Sequence, residues 1–428
     1  MAALIFLVFA IALLIGMPIG MSMVASTVMP LIMGSPMASS VNQLITNTFS
    51  GADSTPIIAV PLFILAGVIM AEGGISRKLF NVFAYFVGGF TGGLPCAVII
   101  TCLFYGAISG SGPATTAAVG AMAIPFLTEL GYDKTFSSGM VATAGGLGVI
   151  IPPSIPFVLY SLATGVSTSA LFLGGVLPGI FIGVCLMSYA IYYCYKKGED
   201  REKIDAKLKE LRSRSLLKLL ADSMPALMSP IIVLGGIYGG IVTPTEAACI
   251  SVFYSLFVSL WVYKTITYDS IIPFLKNAVK TYGPLCFVLA FAIAFGRVLT
   301  LLRAPALVSS FILGTFHSEV AVISVIVVVF LLMGMVMDTG PAIVILAPIL
   351  LPIVRQLGVN PVHFGVIMVC CLSIGLATPP FGLDLFVAGT LSDIPPMTVA
   401  KAATPFILAF MLSLWCITFI PWLSLALL

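Results

Sequence analysis

Long apolar runs broken by short polar tips organise this chain. The runs at 2–16, 57–70, 171–195, 245–263, 283–295, 320–337 and 404–428 are almost free of charge. Each approaches or exceeds the roughly 20 apolar residues that cross a hydrocarbon core. Backbone polar groups must be satisfied within lipid, so the runs predict helices and not the alternating pattern of a barrel. The first run lacks a basic leader, Arg77 being the first Lys or Arg in the chain. It therefore reads as a membrane helix and not as a signal peptide.

Two polar tips, each followed by a helix and then by an apolar helix with paired prolines, repeat one another. The first unit runs from Ser109-Gly110-Ser111-Gly112-Pro113-Ala114 to Gly148-Val149-Ile150-Ile151-Pro152-Pro153. The second runs from Asp338-Thr339-Gly340-Pro341-Ala342 to Gly375-Leu376-Ala377-Thr378-Pro379-Pro380. A shift of 227 places superimposes Pro125 on Pro352, Gly131 on Gly358, Gly148 on Gly375, both proline pairs, and Pro178 on Pro405. The tips themselves align with a slip of one residue, and Pro61-Leu62 pairs with Pro284-Leu285 as a fainter correspondence. Duplicated broken helices in an apolar chain predict a secondary transporter with its sites at mid-membrane, built from inverted repeats.

Composition supports the membrane reading: 60% of the 428 residues are hydrophobic and 8% charged, against about 25% charged in a soluble domain. Residues 196–222 hold nine of the nineteen basic residues, namely Lys196, Lys197, Arg201, Lys203, Lys207, Lys209, Arg212, Arg214 and Lys218. That excess predicts a cytoplasmic loop. The interleaved acids, Glu199 among them, predict a solvated helix on the membrane surface. The loop divides the chain into scaffold helices at 1–90, hairpin and broken helix at 91–195, the basic loop, scaffold helices at 223–315, and a second hairpin and broken helix at 316–428. The expected fold class is an all-α polytopic membrane protein with two re-entrant hairpins and two broken helices.

The breaks and tips carry the candidate chemistry. Proline lacks an amide hydrogen and clashes with the carbonyl four residues before it. Pro152, Pro153, Pro379 and Pro380 thus withdraw the helical donors of Gly148, Val149, Gly375 and Leu376. Such carbonyls, with the hydroxyls of Ser154 and Thr378, suit a hard cation such as Na⁺; the alternative is a kink that neighbours or water repair. At the tips, Ser109, Ser111, Thr115, Thr116 and Thr339 offer hydroxyls, and helix N-termini at Ala114 and Ile343 favour an anion. Asp384 is a functional candidate as a carboxylate inside apolar sequence, and Asp338 is either another or a helix cap. Arg297 and Arg303 read as snorkelling side chains. Glu72, Glu129, Asp133, Lys134 and Arg355 read as helix ends in water. The nine cysteines and two histidines, His317 and His363, show no metal or redox spacing, no Walker loop is present, and no nucleophile and base can be named. An enzyme is therefore not expected, and a channel would not need two matched breaks.

The Ser-Gly-Ser-Gly-Pro-Ala-Thr-Thr tip, the Gly-x-Ile-Ile-Pro-Pro-Ser break, the second Gly-Pro-Ala tip and the Ala-Thr-Pro-Pro-Phe-Gly break resemble the large membrane subunit of tripartite ATP-independent periplasmic (TRAP) transporters, over essentially the whole chain. The resemblance implies a multi-pass protein of the bacterial inner membrane, in contact with lipid and with no nucleic acid partner. It implies a small four-helix membrane subunit and a periplasmic binding protein as partners. It also implies Na⁺-coupled uptake of an organic acid by an elevator movement of a transport domain against a scaffold. Carried over to this sequence, the Na⁺ ligands fall at Ser109, Ser111, Gly146, Val149 and Pro152, and at Gly334, Gly375, Thr378 and Phe381. The substrate would meet Ser111, Thr115, Thr339, Phe381 and Asp384. Where the family pattern has Asn, in Pro-Pro-x-Gly-x-Asn, this chain has Asp384. With Phe381, that departure resembles the sialic-acid members, with a four-carbon dicarboxylate as the second choice.

Overall fold

The computed structural model describes residues 2–34, 41–53, 55–213, 215–316 and 318–428; Arg214 and His317 lie outside the described residues. These are helical throughout, with no strand among them. The first half comprises α1 (Ala2–Leu14), α2 (Ile19–Ile32), α3 (Val41–Ala52), α4 (Thr55–Glu72) and α5 (Ile75–Val87). A hairpin of α6 (Gly93–Ser109) and α7 (Gly112–Glu129) follows, then α8 (Lys134–Gly145), the break, α9 (Ile155–Thr164) and α10 (Thr168–Lys197). After α11 (Arg201–Arg212) come α12 (Leu216–Tyr238), α13 (Pro244–Phe257), α14 (Ile271–Leu301) and α15 (Ala304–Thr315). The second hairpin is α16 (Glu319–Val336) with α17 (Thr339–Gln356); α18 (Pro361–Gly375), the second break, α19 (Leu383–Ser392), α20 (Pro396–Phe419) and α21 (Trp422–Leu425) complete the chain. Among the described residues seven helices are long and apolar enough to cross a membrane, and the bent pair α4 and α5, at 68°, makes an eighth.

The shift of 227 read from the prolines carries α6–α10 onto α16–α20 to within a residue at most boundaries. It also relates the earlier helices. α3 and α4 fall on the two halves of the single long α14, and α5 on α15. Gly74 before α5 and Arg303 before α15 both adopt left-handed backbone, at φ 69° and 54°. That junction places Pro61 and Pro284 out of register, so their sequence correspondence is a coincidence of composition. The N-terminal half of α14 escaped the hydropathy reading because Lys276, Asn277, Lys280 and Thr281 face outward there.

Packing exchanges elements between the halves. α7 of the first hairpin lies along α19, and α17 of the second lies along α9. In the scaffold, α2 packs on α14 and α13 on α4. Each broken helix thus begins beside its own hairpin and ends beside the other. The two repeats are interlocked by this exchange, as the duplicated pattern of an inverted-repeat fold requires. Near its centre the Ser373 hydroxyl donates to the Gly146 carbonyl at 2.7 Å, between residues 227 apart. Equivalent positions therefore meet across the pseudo-twofold axis.

The basic segment forms the expected helix, exposed at most positions, but it is docked on the protein by one face. α11 buries Ile204 and Leu208 and packs on α5, while Arg212 donates to the Tyr85 carbonyl at 3.1 Å. Glu199 is no surface acid: its side chain is 2% exposed and pairs with Arg201 at 3.0 Å. It accepts from the Gly92 amide at 2.9 Å and from the Tyr132 hydroxyl at 2.6 Å. Local composition cannot show this, because both donors come from loops more than 60 residues away. Nearby, Thr135 and the Phe136 amide bond Asp133 at the start of α8 and hold its carboxyl below the usual range. Glu199→Ala would leave the Gly92 and Tyr132 donors unpaired, a loss of about 2 kcal/mol or more. The purified protein should therefore melt several degrees lower, while Glu202→Ala on the exposed face of α11 should melt unchanged.

Candidate functional site

The first tip is a left-handed turn at Gly110, φ 61°, tied down when its carbonyl accepts from the Ile155 amide at 3.3 Å. A Cβ there would lie 2.9 Å from the Pro153 carbonyl oxygen, so glycine is required on two counts. Ser109 and Thr115 share a hydrogen bond of 2.8 Å, and Thr115 also donates to the Ser111 carbonyl at 2.8 Å. Gly148 packs against this group so closely that a Cβ would fall 2.3 Å from the Thr115 hydroxyl and 2.8 Å from the Ser111 carbonyl. The fold therefore gathers Ser109, Ser111, Thr115 and Gly148 into one cluster of oxygens. Val149 and Pro152 continue the same turn, whereas the Gly146 carbonyl is taken by Ser373 on the axis.

The second tip is built likewise. Asp338 caps α17, accepting from the Thr339 amide at 2.7 Å, and stays exposed, while Thr339 is buried. α16 and α18 touch backbone to backbone: a Cβ on Gly375 would lie 2.4 Å from the Gly334 carbonyl carbon. The Phe381 amide donates to the Met335 carbonyl at 3.3 Å, which brings Gly334, Gly375 and Phe381 together, with Thr378 in the turn between the last two. Phe381 is 58% exposed, the most open of the expected substrate residues. Asp384, by contrast, is fully buried.

Most of the carbonyls freed by proline find donors. Ser154 donates to Val149, the Thr378 amide to Gly375 at 3.0 Å, and the Asp384 amide to Leu376 at 2.9 Å. The Thr378 hydroxyl donates to Ile374 at 2.7 Å. Gly148 differs, since Ile150 and Ile151 both donate to Leu147 and Pro152 stands where its own donor would be. The expectation of four free carbonyls is thus corrected to one, because the turn residues after each break fold back as donors. A carbonyl has a second lone pair, so the repaired groups still present oxygen to a cation.

Both tips touch the scaffold. A Cβ on Gly67 of α4 would lie 3.2 Å from the Ser109 Cα, and one on Gly340 would lie 2.9 Å from Leu285 of α14. Away from the tips, a cavity of about 870 Å³ opens between α5, α7 and α11, lined by Arg77, Lys78, Asn81, Met122, Glu129 and Lys207 among others. Arg297, Arg303, Glu72, Glu129, Asp133, Lys134 and Arg355 are exposed, as helix ends should be. His363 is buried, 3.3 Å from the Thr418 carbonyl, a packing role.

Comparison with known proteins agrees with this architecture. The sequence family described as the DctM component of the tripartite ATP-independent periplasmic transporter matches residues 6–423. A permease protein of the isethionate TRAP transporter from Oleidesulfovibrio alaskensis is 40% identical over 96% of the chain, which spans 64% of that longer protein. A C4-dicarboxylate TRAP large permease from Pseudomonas aeruginosa is 38% identical over 91% of this chain and 90% of its own. A sialic acid TRAP large permease from Vibrio cholerae is 30% identical over 96% and 95%. The Alcanivorax borkumensis YdaH transporter shares the fold at 14% identity, with a TM-score of 0.64 over 90% of this chain and 88% of that one. Neisseria gonorrhoeae MtrF does so at 13%, with a TM-score of 0.61 over 88% and 83%. The chain belongs to the DctM family of TRAP transporter large permeases and is a multi-pass transport protein of the bacterial inner membrane.

Proposed function

We propose that this permease takes up an organic acid by Na⁺-coupled symport, the acid being delivered by a periplasmic binding protein and the chain working with a small four-helix membrane subunit. The observation that carries the reading is the pair of oxygen clusters at equivalent breaks, each closed by the tip of a hairpin. Ser109, Ser111 and Gly148 would supply the first, with Val149 and Pro152 from the same turn and Gly146 supporting it from the axis. Gly334, Gly375, Thr378 and Phe381 form the second. Neutral carbonyl and hydroxyl oxygens of this kind fit a small hard cation. Half-buried Ser111 at the first tip and exposed Phe381 at the second break, with buried Thr339 at the second tip, would meet the substrate, and Thr115 fixes the first tip. The interlocked hairpins and broken helices would move as one body, elevator-fashion, against α1–α5 and α12–α15, with the cavity beside Arg77 and Lys78 as a path for an anion.

For the substrate we favour a hydroxyl-bearing monoanion, with sialic acid as first choice and a four-carbon dicarboxylate as second. The exposed Asp338 carboxylate at the second tip makes the region negative. Two unit charges about 4 Å apart repel by roughly 1 to 4 kcal/mol at dielectrics between water and a protein surface, which disfavours a dianion. The named relatives are described as isethionate, C4-dicarboxylate and sialic acid TRAP permeases, so the choice rests on that carboxylate and on Phe381 with Asp384 in the sequence pattern. The test is uptake by proteoliposomes holding the chain with its small subunit and binding protein. An inward Na⁺ gradient should drive uptake with more than first-order dependence on Na⁺. Equal uptake with K⁺, or with a proton gradient alone, would refute the coupling.

A further inference from the structure

Asp384 stands out among the buried polar groups. It is 0% exposed, and neither carboxylate oxygen has a hydrogen-bond partner. It is the second residue of α19 and lies against the start of α7, its two oxygens 3.2 and 3.5 Å from where a Cβ on Gly112 would be. The Thr116 hydroxyl faces it, near enough to interact with the carboxyl though outside good hydrogen-bond geometry, and is likewise 0% exposed. Asp338 and Cys102 are the titratable neighbours, and neither supplies positive charge. Neither the large cavity nor a smaller one of about 210 Å³ beside Tyr132 and Glu199 is lined by Asp384.

A buried carboxylate without partners is too unfavourable to persist uncompensated. Two helix N-termini, of α7 and α19, favour its ionised form. A proton or a cation can supply that compensation, and a cation held there must be small, because Asp384 is fully buried. A single carboxylate balances a single positive charge, whereas a divalent ion would leave an excess in an apolar interior. We propose that Asp384 and Thr116 form a monovalent-cation site, filled by Na⁺, separate from the two clusters at the breaks. Binding there joins the tip of the first hairpin to the second broken helix. This inference rests on the Na⁺-coupled reading above and adds an ion to it.

The experiment compares wild type with Asp384→Asn and Thr116→Val in the reconstituted complex. It measures charge moved per substrate taken up and, on the purified complex, the rise of melting temperature with Na⁺ concentration. Since stabilisation by a ligand follows its binding to the folded state, the second measurement counts ions even in a variant that does not transport. The expected result is a charge-to-substrate ratio lower by one in Asp384→Asn, a shallower Na⁺ dependence of melting, and for Thr116→Val a higher Na⁺ requirement. An unchanged Na⁺ count in Asp384→Asn overturns the site, and so does an altered preference among organic acids with that count intact, which would put the carboxylate on the substrate. A wild type indifferent to Na⁺ would instead refute the coupling itself.

Discussion

Gly375→Ala should reduce transport by about tenfold or more while the protein still inserts in the membrane. The added Cβ would fall 2.4 Å from the carbonyl carbon and 2.5 Å from the Cα of Gly334. No rotamer relieves a clash between backbones, so α16 and α18 must separate. Overpacking of this kind typically costs about 1–3 kcal/mol, and here the strain falls on the cluster formed by Gly334, Gly375 and Thr378. Gly283→Ala is the control, since a Cβ on Gly283 meets nothing within 4 Å and alanine favours the helix. Uptake per inserted molecule, measured for both, decides. Equal activity in the two variants would show that the close approach of α16 and α18 has no functional weight.

Thr378→Ala should raise the Na⁺ concentration for half-maximal uptake by about tenfold, the equivalent of one lost neutral ligand worth ~1–1.5 kcal/mol. The hydroxyl proton is committed to the Ile374 carbonyl at 2.7 Å, which leaves the oxygen lone pairs free to face an ion. Thr378→Ser keeps both and should stay within about twofold of wild type. Na⁺ titrations of uptake at saturating substrate make the comparison. Equal defects in the two variants would mean that the methyl group matters, through packing, and that the oxygen does not.

The hairpins and breaks were legible because glycine tips and proline pairs impose their geometry locally and recur at one spacing. The exchange of partners was not, since α7 beside α19 and α17 beside α9 depends on side chains spread along whole helices. Repair of the freed carbonyls was hidden for a related reason. The amides of Thr378 and Asp384 become donors only because the chain turns back after the prolines. Asp384 could be named from its apolar setting, but that both its oxygens lack partners is a property of packing. Glu199 shows the converse: a residue within a charged run passes for surface until its distant donors are brought to it.

Ser373 and Gly146 join the broken helices where they cross, and each helix ends on the hairpin opposite to the one where it began. Neither hairpin can then swing aside as a gate without stripping a helix from its partner. Leakage must be prevented elsewhere, along the seam where the tips graze α4 at Gly67 and α14 at Leu285. Under the proposed elevator movement that seam would have to slide and yet stay watertight, which admits only small or compliant side chains. The speed of the permease and its tightness would then be set by the same few contacts.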